Sequence, residues 1–175
     1  MSEEIQLTLQ QVLSGGEEQQ VATLKSIYRQ QQGREYFVRD LLSLLGMETY
    51  QKAASWLLKH HIEQGNALTD QEMWVLAENM QPTYGWESRL HLLQILPFIT
   101  IPPDAQLRVE DFVRASLSSA NKFVRAWAIQ GLYELSHGRP DLQREVSFLC
   151  EKAMQTEAPS VKARVRKILV QLDKA

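Results

Sequence analysis

A chain of 175 residues suits one domain with a substantial core, and 44% apolar with 23% charged residues excludes a disordered polymer. The net charge of −2 excludes a whole-protein attraction to nucleic acid; it divides into −6 over residues 1–107 and +4 over residues 108–175, so a local basic face is left to the C-terminal part. No apolar run approaches the roughly 18 residues of a membrane span, the acidic amphipathic start "MSEEIQLTLQQ" is not a secretory signal, and the single Cys150 excludes an internal disulfide and fits a reducing cytoplasm.

Apolar spacing of three and four runs from end to end, with no convincing period of two. It predicts helices over 3–13, 17–32, 35–45, 48–64, 70–80, 85–96, 105–119, 121–137, 141–156 and 160–173. Gly15-Gly16, Gly33, Gly46 and Gly65 fall where the pattern breaks, as expected of glycines that end helices in the left-handed conformation. "TDQE" at 69–72 reads as a capping box in which Thr69 and Glu72 satisfy each other's backbone amides. "HGRPD" at 137–141 and "EAPS" at 157–160 are stop–start signals in which proline opens the next helix. The longest break is "FITIPPDA" at 98–105, where Pro102-Pro103 fixes an extended connection, read as a long turn inside one array in preference to a linker between two subdomains.

Three segments align in register: "SRLHLLQIL" at 88–96, "VRAWAIQGL" at 124–132 and "VKARVRKIL" at 161–169, offset by 36 and 37 residues. "YQKAASWLL" at 50–58 fits more loosely, with Tyr50, Ala54 and Leu58 matching Val124, Ala128 and Leu132. A period of this length predicts stacked helical hairpins, each burying its stripe against its neighbours. Leu92, Ala128 and Val165 form one apolar column and Leu96, Leu132 and Leu169 another. Arg89, Arg125 and Lys162 share a basic column. The fold expected is all-α, a stack of about five hairpins, in a single domain over 1–175 with degenerate repeats in 1–80 and clearer ones in 84–173.

"PSVKARVRKIL" and "NKFVRAWAIQGL", and more loosely "GWESRLHLLQIL", resemble the second-helix pattern of the HEAT-repeat family: Pro or polar, then Val-Arg/Lys, then small and large apolar positions. The resemblance covers residues 84–172, about half the chain. It implies a right-handed α-solenoid whose second helices line a concave binding face. It also implies that Arg89, Arg125 and Lys162 form a structural ladder between repeats. The turns before the second helices offer Asn121 and Ser119, or Ala158, where the family carries an aspartate, so Arg125 is expected to bond backbone carbonyls instead.

On a helical wheel Val124, Ala128, Gly131 and Leu135 cluster, Trp127 lies at the edge of that cluster, and Phe123, Gln130 and Glu134 lie further round. In register, Trp127 shares a column with His91 and Arg164, and Gln130 with Gln94 and Lys167. Columns so varied in size suit a surface rather than a packed interface. His91, Gln94, Phe123, Trp127, Gln130, Arg164 and Lys167 are therefore the candidate groove residues, with Trp127 as a rigid anchor. Arg166 stands where Leu93 and Ile129 stood in earlier repeats, which predicts that the array ends there with "KARVRK" as a polar cap.

No GxSxG, P-loop, GxGxxG, HExxH or CxxC motif occurs. His60-His61 diverge by about 100° on a helix, which favours a satisfied surface pair over a metal site. Cys150 reads as an apolar filler. Without cofactor, metal or catalytic constellation, the first reading is a non-enzymatic cytoplasmic adaptor that binds a protein or peptide, favouring an acidic one. The second is a nucleic-acid binder related to DNA alkylation-repair glycosylases, which are themselves HEAT-like. Trp127, Arg125, Arg164, Lys167 and Trp86 supply aromatic and basic groups for it, but position 131 is Gly where an acid would be wanted, and Trp74 with Glu78 is the nearest substitute.

Overall fold

A computed structural model describes residues 17–173, which form nine α-helices, one 3-10 turn and, among the described residues, no strand. The helices are α1 (Glu17–Gln31), α2 (Phe37–Leu45), α3 (Glu48–Glu63), α4 (Asp70–Asn79), α5 (Trp86–Ile95), α6 (Gln106–Leu117), α7 (Lys122–Leu135), α8 (Pro140–Thr156) and α9 (Pro159–Leu172). The helix expected over 3–13 lies outside the described residues. No described helix is long and apolar enough to cross a membrane.

Local chemistry sets most boundaries. The Thr69 side chain accepts from the Glu72 amide, and the Thr69 amide donates to Glu72 Oε2 at 2.8 Å, so the expected capping box is formed. Asn121 Oδ1 accepts from the amides of Phe123 and Val124 at the start of α7. Pro140 and Pro159 open α8 and α9, where a missing N–H costs nothing. Gly65 (φ 86°) takes the left-handed conformation expected of it, as does Gly138 (φ 73°). Gly33 and Gly46 do not. Gly46 keeps a right-handed φ of −71°, because α2 joins α3 through so tight a turn that no left-handed residue is needed. Pro97 sits inside a 3-10 turn (Leu96–Phe98) that ends α5.

The helices alternate between two rows. In one, α1 packs on α3, α3 on α5, α5 on α7 and α7 on α9; in the other, α2 packs on α4 and α4 on α6. Across the rows α2 meets α3, α6 meets α7, and α8 meets both α7 and α9. The register follows the aligned segments. Leu92, Ala128 and Val165 are fully buried, as are Ser88, Val124 and Val161 one turn earlier. Leu93 and Ile129 are buried, whereas Arg166 in the same column is exposed.

Gly131 allows one unusually close approach. A Cβ there would lie 2.7 Å from Leu96 Cδ1 and 3.1 Å from Val113 Cγ2, so α7 settles against α6 and the end of α5 only because that side chain is missing.

Candidate functional site

The second-helix row, α3, α5, α7 and α9, carries the columns of interest. The basic column is structural. Arg125 Nη1 donates to the carbonyls of Ser119 (2.9 Å) and Ala120 (3.0 Å) in the turn before its own helix. Arg89 Nη1 donates to the Pro82 carbonyl, and Lys162 Nζ to the Gln155 carbonyl. Gln51, at the matching position of α3, donates to the Leu45 carbonyl. Four second helices are thus pinned at their first turn to the turn that precedes them.

The same residues reach forward. Arg89 Nη2 donates to Ser119 Oγ at 2.7 Å, and Arg125 Nε and Nη2 make a bidentate pair with Glu157 at 2.6 and 2.7 Å. Lys52, beside Gln51, pairs with Glu87 at 3.1 Å. Arg125 therefore does bond backbone carbonyls, and a ladder exists as well, with Ser119 and Glu157 standing where aspartate was expected. Glu157 was missed because it lies one residue before Ala158, the position that the alignment compares. The pair draws the Glu157 carboxyl below its usual range, chiefly through the Arg125 hydrogen bonds, and raises Arg125 correspondingly.

The groove columns are less uniform. Arg164 Cζ lies 3.5 Å from the Trp127 ring centroid, a close cation–π stack joining α9 to α7. Trp127 is half-buried and rests on the core beneath it. Arg164 is half-buried too, and burial lowers its pKa. Phe123, one turn before Trp127, is 45% exposed, with Lys122 Nζ 5.2 Å from its ring centroid. Lys167 is exposed one turn beyond Arg164. The Trp127–Arg164 stack is thus the contact shown among these columns, with Phe123 and Lys167 each one turn away along its own helix.

His91 stands apart from them. Its Nδ1 shares a 3.0 Å hydrogen bond with the buried Ser55 Oγ of α3, and burial, helped by Lys59 and Lys52, pushes the imidazole down to about 4. It is a neutral inter-helix wedge at physiological pH. Gln94 is half-buried. Gln130 is only 6% exposed and donates to Glu134 Oε1 at 2.6 Å, so it departs from the position away from the core given by the helical wheel. The wheel assumed one buried stripe, but α7 is surrounded by α5, α6, α8 and α9 and buries most of its circumference.

The histidine pair on α3 also departs from expectation. His61 is buried rather than solvated, with Nδ1 3.4 Å from the Tyr28 hydroxyl and its ring edge-on to Phe37. His60 stacks on Trp56 with centroids 5.0 Å apart and meets Tyr28 edge-on. Burial lowers the pKa of both. Among the described residues no group of three His, Cys, Asp or Glu could hold a metal. Glu78, one turn after the exposed Trp74, is engaged by Arg108 Nε at 2.6 Å. Cys150 is fully buried, and burial pushes its thiol up to about 11, far from a thiolate at neutral pH.

A second polar cluster had no sequence signal. Glu110 takes Arg114 Nε at 2.8 Å and Arg139 Nη1 at 2.7 Å, while Arg114 also forms a bidentate pair with Glu145. It ties α6 to α8 and to the turn before α8, with every charge matched. On the other row, around Trp127, Lys122, Arg164 and Lys167 have no carboxylate partner among the described residues. No family model, curated protein or solved structure matches this chain, so that geometry and the repeat register are what bear on its function.

Proposed function

We propose that the chain is a non-enzymatic binding protein: a right-handed, HEAT-like α-solenoid whose second-helix row holds a protein or peptide partner. The observation that carries this reading is the stack of Arg164 on Trp127 that joins α9 to α7, with Phe123 exposed one turn before Trp127 and Lys167 exposed one turn after Arg164. A half-buried indole with one face taken by a guanidinium is a rigid contact that costs little entropy to engage. The alternation of helices between two rows supports the solenoid, because each second helix then presents its outer edge to one continuous surface. The backward hydrogen bonds support it as well, since they recur at four successive second helices. Hydrolytic, redox or phosphoryl-transfer chemistry has no support in the residues that meet on this face.

Site-directed photo-crosslinking in the source cells tests the reading. A photoreactive residue would replace Phe123 or Gln94 on the second-helix row, or Leu107 or Phe148 on the other row. Protein adducts from Phe123 and Gln94 are the expected result. Adducts from Leu107 and Phe148 alone would overturn it.

A further inference from the structure

The cations of the C-terminal part are not all alike. Arg108, Arg114, Arg125 and Arg139 each face a carboxylate within 2.8 Å. Arg164 is as deeply set as these, yet among the described residues it has no carboxylate or carbonyl partner, only the face of Trp127. Stacking uses the flat side of a guanidinium and leaves the N–H donors around its edge unused. The guanidinium edge is therefore open to a ligand with paired acceptor oxygens.

The surroundings narrow what would meet it. Lys122 and Lys167 flank the stack with two further charges, and neither has a carboxylate partner among the described residues. Phe123 lies exposed one turn from Trp127 on α7, so an apolar contact adjoins the cationic ones. A long phosphate backbone is a poorer fit. Running along α7 from Trp127, it would meet Glu134 two turns on.

We infer that Arg164, laid on Trp127, is a carboxylate receptor, and that this face takes a short peptide segment mixing Asp or Glu with apolar residues. The partner's carboxylate accepts a forked pair of hydrogen bonds from the guanidinium edge, Lys122 and Lys167 steer it, and the adjoining apolar side chain rests on Phe123. The inference rests on the proposal that the second-helix row is the binding face.

Fluorescence anisotropy at physiological salt tests it with three labelled probes: a short Glu/Leu peptide, its Gln/Leu counterpart and a short single-stranded oligonucleotide. The Glu/Leu peptide is expected to bind about tenfold more tightly than the Gln/Leu one, since charge-assisted hydrogen bonds are the stronger kind. Arg164→Lys keeps the charge but loses the planar fork, and is expected to weaken Glu/Leu binding by about fivefold or more. Arg144→Gln, on exposed α8 surface, should leave it unchanged. Urea midpoints would accompany each variant, so that a folding defect is not read as lost binding. Equal binding by wild type and Arg164→Lys, equal binding of the two peptides, or tighter binding of the oligonucleotide would each overturn the inference. If crosslinks arise at Phe123 while the Glu/Leu peptide fails to bind, the carboxylate receptor falls and the binding face stands. Crosslinks from the opposite row alone remove both.

Discussion

Removing the Arg125–Glu157 rung should reveal a coupling that a mere surface contact would lack. The two side chains are 28% and 19% exposed, so the pair lies between a solvated ion pair, worth about 0–1 kcal/mol, and a buried one. Arg125→Ala deletes the two bonds to Glu157 and the two to the Ser119 and Ala120 carbonyls, and should cost about 2–3 kcal/mol. Glu157→Ala deletes the bidentate pair and the carboxylate's bond to the Ala158 amide, and should cost about 1–2 kcal/mol. The double variant should cost less than the sum, leaving a coupling of about 1–1.5 kcal/mol. Urea denaturation of all four proteins, followed by circular dichroism, measures it. The coupling also has a pH signature. The folded state holds Glu157 below its usual range, so the stabilisation is complete above the unfolded glutamate value of about 4.3 and is lost as pH falls through the folded value. Singles that add within about 0.3 kcal/mol at neutral pH would refute the rung as an energetic link.

Leu132→Ala, in a fully buried position, should cost about 2–5 kcal/mol, whereas Trp127→Ala should cost less because its outer face is backed by Arg164 rather than by the core. Equal large losses would place Trp127 among the packing residues. Gly131→Ala should destabilise by about 1 kcal/mol although helix propensity alone favours alanine, because its methyl would meet the buried Leu96 and Val113. A stabilised variant, by the same urea midpoint, would remove the close-approach account. His91 is held neutral, so its contribution is intact above about pH 6.5 and falls away as pH drops toward about 4, by on the order of 3 kcal/mol. His91→Gln should flatten that part of the stability–pH curve relative to wild type, and an unchanged slope would show that another group sets it.

The rows of helices were legible because burial on a helix writes itself into spacing. Leu92, Ala128 and Val165 aligned from sequence and are all fully buried. The capping box at Thr69 and the opening prolines were legible because each acts within a few residues. The rung at Glu157 was not, since it joins residues 32 apart through the geometry of a turn. Burial was expected of neither histidine, although His61 falls one turn after Leu57 and Leu58, whose own burial marks that side of α3 as the inner one. Gln130 was misplaced because a one-sided wheel cannot represent a helix with four neighbours. The column that placed Trp127 beside Arg164 came from register alone, and the two do stack. The same column set His91 beside them, but Ser55 holds that side chain toward α3.

The backward hydrogen bonds from Gln51, Arg89, Arg125 and Lys162 all fall at the first turn of a second helix. With Lys52–Glu87, Arg89–Ser119 and Arg125–Glu157 beside them, they form a stitched seam along one margin of the array. Among the described residues the far ends of those helices show no repeated set of this kind, the Tyr28–His61 contact at the end of α3 standing alone. A stack sewn along one margin bends as a fan does, opening at the loose ends while the seam keeps its length. In the proposed solenoid, a load from a bound partner would then change curvature before it separated the helices, and the spacing between Trp127 and its neighbours along the row would change with it.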